Sequence, residues 1–410
     1  MRSTPRATRL SLLVRRHRLL LVAAGLFVTS LGVSAQRGPG PGPGPGNGPQ
    51  PVAGLTLAQQ QAFAEGVRTF GRRFTVAEGL GPVFNDESCA DCHRGGGDTA
   101  RTVTRFGRRE ADSFDTLAHL GGSLIQARGI GTVRTSDGTY DFQGEDVPAD
   151  ATVRARRKSQ PLFGLGFVDA VPDDTFRALA DEQQAADPAT AGRVSLVFDH
   201  TMGADVVGRF GWKAQVPTLR AFAGDALLNE MGITSPGFRD EICPQGDCDA
   251  LAFNPAPALN DDGRDATALT DFMTMLAAPG RGATNGDTAR GQIVFGQIGC
   301  ASCHRPSLTT GPSPVRALDR ATFSPYSDFL LHDMGTLGDG ISQAAAGGRE
   351  MRTQPLWGLR LLTRYLHDGS ADTIEEAVRR HDGQGRDARQ RFDALSDADR
   401  TLLLAFLRSL

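Results

Sequence analysis

Two pentapeptides of one form, "CADCH" at 89–93 and "CASCH" at 300–304, constrain this 410-residue chain more than any other feature. Cys-x-x-Cys-His is the attachment pattern of c-type haem. Two thiols separated by two residues reach the two vinyl groups on one porphyrin edge from a single helical turn, and the next residue brings its imidazole beneath the iron. The units thus offer Cys89 and Cys92, and Cys300 and Cys303, for covalent attachment, with His93 and His304 as axial ligands. By chance the pattern arises on the order of 10⁻³ times per chain of this composition, and twice far less often. Structural zinc also takes paired cysteines, and two pairs supply four sulfurs, but zinc gives no reason for a histidine next in line both times. A redox dithiol asks for a βαβ setting, which is absent here. The sequence therefore reads as a protein with two covalently bound c-type haems.

The N-terminus suggests where such a protein works. Residues 1–35 hold six arginines and no acids, then the apolar run "LLLVAAGLFVTSLGV", then "VSA". Basic, apolar and small in that order is an export signal, with Ala35 its last residue. An uncleaved anchor is the alternative, although the run is short for a full span. The paired Arg15 and Arg16 also fit a twin-arginine signal. After cleavage no segment spans a bilayer, and a periplasmic location follows. The remainder carries 38 basic against 47 acidic residues, about −9, which does not suggest a nucleic-acid binder. Export means an oxidising compartment, where Cys243 and Cys248 in "CPQGDC" fit a small disulfide loop; two free thiols are the alternative.

The chain divides into a signal peptide at 1–35, a Gly/Pro-rich linker at 36–53, an N-terminal haem domain at 54–278 and a C-terminal cytochrome c domain at 287–410, with "PGRGATNG" at 279–286 between the last two. Thr56 can cap a helix with Leu57, Phe63, Val67 and Phe70 on or near one face. "DATALTDFMTMLAA" at 265–278 and "SDADRTLLLAFLRSL" from Ser396 have helical spacing. Residues 99–155 lack it and read as loops with short strands. The surroundings of the two haem motifs repeat. Phe84 and Phe295 each stand five residues before the first cysteine, and "SQPLFGL" at 159–165 echoes "TQPLWGL" at 353–359. Lys158 and Arg352 each stand two residues before the glutamine, suited to haem propionates or to a solvated surface. These echoes suggest a duplicated haem domain.

With "GPVFNDESCADCH", "QPLFGLGFVDAVPD", "GRFGWKAQVPTLR", "NEMGITSP", "GCASCH", "PYSDFLLHDMG" and "RTQPLWGL…YLHDGSADTIEEAVRRH" together, the chain resembles the di-haem cytochrome c peroxidase and MauG superfamily, and within it most closely the di-haem oxidoreductases. The resemblance implies a mainly α fold of two cytochrome-c-like domains with extensive loops. It implies hydrogen peroxide meeting the N-terminal haem, with electrons arriving through the C-terminal one from a small periplasmic cytochrome or cupredoxin. It leaves open a calcium ion between the domains. The superfamily's His-Asp-Gly stretch is matched by His367, Asp368 and Gly369, and its distal methionine ligand falls fourteen residues on, where this chain has His381. The local pattern supports that residue. Thr373 and Glu376 form a capping box, and Ile374, Ala377, Val378 and His381 follow on one face. Met334 is the rival ligand and His332 a weaker one. Because a second imidazole lowers a haem's potential relative to a thioether, His381 departs from the peroxidase pattern.

In the same way "NEMG" places Glu230 as an acid–base group above the first haem, against the plainer reading of a loop acid. Trp212 is either an electron relay between haems or a core residue. The first haem's sixth ligand is open, with His119 and His200 available but outside any matching motif. Three functions compete: a peroxidase, a di-haem electron carrier, and a MauG-like or oxygenase-like enzyme acting on a protein or organic substrate.

Overall fold

A computed structural model describes residues 48–136 and 138–410, within one compact unit. The export segment read at 1–35, and the linker up to residue 47, lie outside the described residues. No described helix is long and apolar enough to cross a membrane.

Among the described residues there are ten α-helices: α1 (Leu57–Gly71), α2 (Cys89–Cys92), α3 (Leu165–Asp169), α4 (Asp173–Ala186), α5 (Leu219–Met231), α6 (Arg264–Met275), α7 (Gly286–Gln297), α8 (Ile374–Arg379), α9 (Arg386–Asp393) and α10 (Asp397–Arg408). The expectation of a mainly α chain needs an amendment, because thirteen short strands accompany them in six small sheets. The largest orders Phe114–Asp115, Thr102–Arg109 and Val153–Lys158 side by side. Its eight-residue central strand runs through the segment that lacked helical spacing, and antiparallel pairing of Thr102 with Lys158 through Gly107 with Val153 satisfies the backbone there.

Two helix crossings organise the interior. Thr56 caps α1: its hydroxyl accepts from the Gln59 amide at 3.3 Å, and the Gln59 side chain accepts from the Thr56 amide at 3.0 Å. Phe63 and Phe70 are buried, whereas Leu57 in the first turn faces solvent at 72% exposure. α1 crosses α6 at Gly66, where a Cβ would lie 2.4 Å from the Ala268 carbonyl. The second crossing repeats this: a Cβ at Gly291 in α7 would lie 2.0 Å from the Leu402 carbonyl in α10. Four residues after each glycine stands a phenylalanine that meets an aromatic ring on the opposite helix. Phe70 lies 4.5 Å from Phe272, and Phe295 lies 5.3 Å from Phe406. The helical counterpart of Phe295 is therefore Phe70. Phe84 sits in a two-residue strand, Val83–Phe84, so its matching distance from the cysteine does not reflect a matching position.

Phe272 is wholly buried between Phe63 and Phe70. Phe272→Ala is expected to lower unfolding free energy by about 3–5 kcal/mol, read from urea titration. The larger core also takes in Leu308, Val315, Leu318, Phe323, Phe329 and Leu330. These residues follow the 279–286 junction, so the two cores do not divide there.

Candidate functional site

Both Cys-x-x-Cys-His units fold as one helical turn closed by the same bond. The His93 amide donates to Cys89 O at 2.9 Å, and the His304 amide donates to Cys300 O at 2.9 Å. Ser88 caps the first turn, its hydroxyl accepting from the Ala90 amide at 3.3 Å. All four cysteines carry free sulfurs, whereas Cys243 and Cys248 are joined in a disulfide. The pairs pack against different cores, Cys89 on the larger and Cys300 on the smaller. Among the described residues the one cluster able to hold a metal ion is Cys303, Asp328 and His332, so the four thiols do not form a zinc site.

The second unit opens on a cavity of about 350 Å³, lined by Cys300, Cys303, His304 and, opposite, His381. α8 ends at Arg379, so His381 lies just beyond the helix. Thr373 caps that helix through the Glu376 amide at 3.0 Å, but the Glu376 carboxylate reaches back to the Asp372 amide instead of completing the box. Each imidazole is fixed through Nδ1 against a backbone carbonyl at 2.9 Å, Tyr326 O for His304 and Ala377 O for His381. That leaves both Nε2 atoms for a metal, the usual way an outer partner orients a ligating histidine. The ring centroids stand 6.4 Å apart. Two metal–nitrogen bonds of about 2 Å plus the two ring radii ask for about 6–6.5 Å. A haem iron therefore fits between them. Burial, and then the His381 ring, push His304 down to about 4, and burial lowers His381 as well. Both rings are neutral near pH 7, as ligation requires.

Met334 lines the same cavity beside His381. His332 is otherwise engaged: Nε2 meets Asp328 at 3.0 Å and Nδ1 meets Gln384 Oε1 at 3.1 Å. Burial opposes its protonation, but the Asp328 carboxylate outweighs burial and raises it well above the usual histidine value. This Asp328–His332 pair, 3.7 Å from Cys303 Sγ at His332 Nδ1, has no sequence signal beyond the motif that contains it.

At the first unit His93 is half-buried, its enclosed Nδ1 without a hydrogen-bond partner, and desolvation takes it down to about 4. Glu230, near the end of α5, comes close enough to Cys92 that, after burial, its charge is the next cause holding that thiol up at about 12. The Glu230 carboxylate accepts from Asn85 Nδ2 at 2.9 Å and is raised by burial. The charge of half-buried Arg105, a residue that sequence reasoning passed over, opposes that rise. His119 and His200 are exposed, and His200 packs between Phe198 and Phe238.

Lys158 and Arg352 are both buried, which removes the solvated-surface reading. They differ in what holds them. Lys158 Nζ is bonded to the Asp98 carboxylate and to Arg364 O. Arg352 has only neutral acceptors, Gly211 O at 2.7 Å, Thr353 O at 3.2 Å and Gln354 Oε1 at 2.9 Å, and burial pulls it down to about 9. It lines the second cavity, as does Trp212, whose indole donates to Lys158 O at 2.8 Å and meets His367 edge-on at 6.2 Å.

Paired thiols followed by a histidine occur at both units, and a second imidazole faces that histidine at the second unit. The chain belongs to the family described as "Di-haem oxidoreductase, putative peroxidase", whose model matches residues 142–410. No curated protein matches it. Among solved structures it is similar to the diheme peroxidase BthA from Burkholderia thailandensis, at 18% identity and TM-score 0.40 over 85% of this chain and 86% of that one. It is also similar to a MauG-like protein associated with microbial copper homeostasis, at 16% identity and TM-score 0.37 over 89% and 93%. Hydrazine synthase of Kuenenia stuttgartiensis matches at 14% identity and TM-score 0.39 over 90% and 98%.

Proposed function

We propose that the protein is a periplasmic c-type di-haem peroxidase that reduces hydrogen peroxide at the N-terminal haem with electrons received through the C-terminal one. The observation that carries this is the difference between the two sites. At the second, the His304 and His381 rings stand 6.4 Å apart, a spacing that supports ligation of one iron by both. Near the first motif stand His93 and the half-buried Glu230 carboxylate, whereas the other histidines weighed for that site, His119 and His200, are exposed. Haem with a vacant axial position binds and reduces peroxide, and haem with both positions filled passes electrons.

Within that reading each side chain has a task. Cys89, Cys92, Cys300 and Cys303 would hold the two porphyrins by thioether bonds, with His93 and His304 as iron ligands. His381 closes the second site, and Met334 is its alternative. Glu230 accepts a proton from one peroxide oxygen and returns it to the other. Arg352, a cation with no carboxylate partner, would take a haem propionate, and Lys158 would do so only by exchanging its Asp98 partner for one. Trp212 relays electrons from the second cavity. A small cytochrome or cupredoxin supplies the electrons, and a calcium ion between the domains remains part of the proposal.

The test is optical titration of the purified holoprotein with reductant and then with peroxide. A high-spin first haem that turns over peroxide with a reduced donor supports the proposal. Two six-coordinate low-spin haems, inert to peroxide and cyanide in either redox state, make it an electron carrier instead. His381→Met should raise the second haem's midpoint potential by on the order of 0.1 V in a spectroelectrochemical titration. An unchanged potential would remove His381 from the ligand set.

A further inference from the structure

The paired "SQPLFGL" and "TQPLWGL" segments have no task in the peroxidase reading, yet they meet. Gln160 Nε2 donates to Gln354 Oε1 at 2.6 Å. The same Gln354 oxygen accepts from Arg352 Nη2 at 2.9 Å, so one carbonyl holds a residue from each repeat. Proline follows each glutamine, which holds the glutamine backbone extended and limits how the amides can turn. The next landmark is a left-handed glycine in both, Gly164 at φ +71° and Gly358 at φ +74°. Gly164 also allows close approach: a Cβ there would lie 3.0 Å from the Trp357 ring.

On one side of this contact lies the first haem motif. The Gly96 amide donates to His93 O at 2.8 Å, and the Leu162 amide donates to Gly96 O at 2.8 Å, which ties the Gln160 loop to the axial histidine's own turn. On the other side lies the second cavity, lined by Gln160, Gln354 and Arg352 together. The path His93, Gly96, Leu162, Gln160, Gln354, Arg352 is thus continuous in covalent and hydrogen bonds. We infer that the Gln160–Gln354 amide pair is a bonded bridge between the two haem sites and positions Arg352 for electron transfer between them. This rests on the di-haem reading above. In each transfer one electron leaves the second iron, which is oxidised by one unit, and reaches the first, which is reduced by one. The amide protons stay on nitrogen throughout.

The experiment is single-turnover stopped flow on the full-length holoprotein. The second haem is reduced, a one-electron oxidising pulse is given to the first, and the redistribution rate is followed at both Soret bands. Gln160→Met and Gln354→Met, which keep side-chain length and remove the amide, should each slow redistribution by about tenfold. The double variant should be no slower than either single one, because the two amides act as one unit. Gln354→Glu, which restores an acceptor for Arg352, should recover most of the rate. Haem content and melting temperature of each variant report whether folding is intact. A redistribution rate within twofold of the parent in folded, fully loaded single variants would overturn the bridge, as would losses that multiply in the double variant. A parent protein without two attached haems would overturn the di-haem reading and the bridge with it, so the two failures are told apart by haem content.

Discussion

Cys300→Ala/Cys303→Ala protein, matured in a haem-competent host, is expected to carry one covalently attached haem per chain where the parent carries two. Burial holds the Cys300 thiol up at about 12, so it is not poised as a thiolate. A thiol held protonated is a poor metal ligand at neutral pH, and in the proposed reading its part is a carbon–sulfur bond to a porphyrin. Without those bonds the proposed ligands His304 and His381 would remain, fixed by Tyr326 O and Ala377 O, but a haem held by coordination alone is lost on denaturation. Intact-protein mass under denaturing conditions reads the result directly. Cys243→Ala/Cys248→Ala is the control, because that disulfide spans five residues apart from either haem motif and its loss should leave both haems attached. A parent chain of unmodified mass would sink the c-type assignment.

Glu230→Gln is expected to lower peroxide turnover by about 10²-fold with both haems retained. The amide keeps the shape and can still meet Asn85, but it cannot take up a proton. The pH profile separates this role from a structural one. Burial raises the Glu230 carboxyl above its ordinary 4.5. The carboxylate form, and with it turnover, should therefore grow as pH rises through that raised value, and the acid limb should vanish in the variant. Stability runs the other way. A carboxyl that binds its proton more tightly when folded contributes stability that is present below 4.5 and lost as pH climbs through the raised value. The variant should flatten that slope in urea titrations across the same window. An unchanged rate and an unchanged acid limb would remove Glu230 from the chemistry.

What the sequence disclosed was set by how local each feature is. A Cys-x-x-Cys-His turn is closed by bonds within five residues, so its geometry can be read from spacing. The cap at Thr373 and the apolar positions after it likewise brought His381 to the cavity wall, although the helix ended two residues early. Features made by distant segments were not legible. The closeness of Glu230 to Cys92 depends on how the long insert between residues 94 and 218 folds back, and no periodicity encodes that. Gln160 and Gln354 look like a repeat on the page, and only tertiary packing turns the repeat into a contact. Phe84 misled because distance along the chain to a motif is not position in a fold. The Gly-x-x-x-Phe pattern at Gly66 and Gly291 was there to be found, since a close helix crossing needs a residue without a side chain.

The six apolar side chains that the 308–330 stretch lends to the larger core bear on biosynthesis. A polypeptide emerging from its N-terminus has delivered α1 to α6 before any of these residues exists, so the first half waits with its interior unsealed. The second haem motif at 300–304 is itself delivered before that seal arrives. If the haems are attached as proposed, both thiol pairs would thus be in hand before this seal, open to attachment from outside.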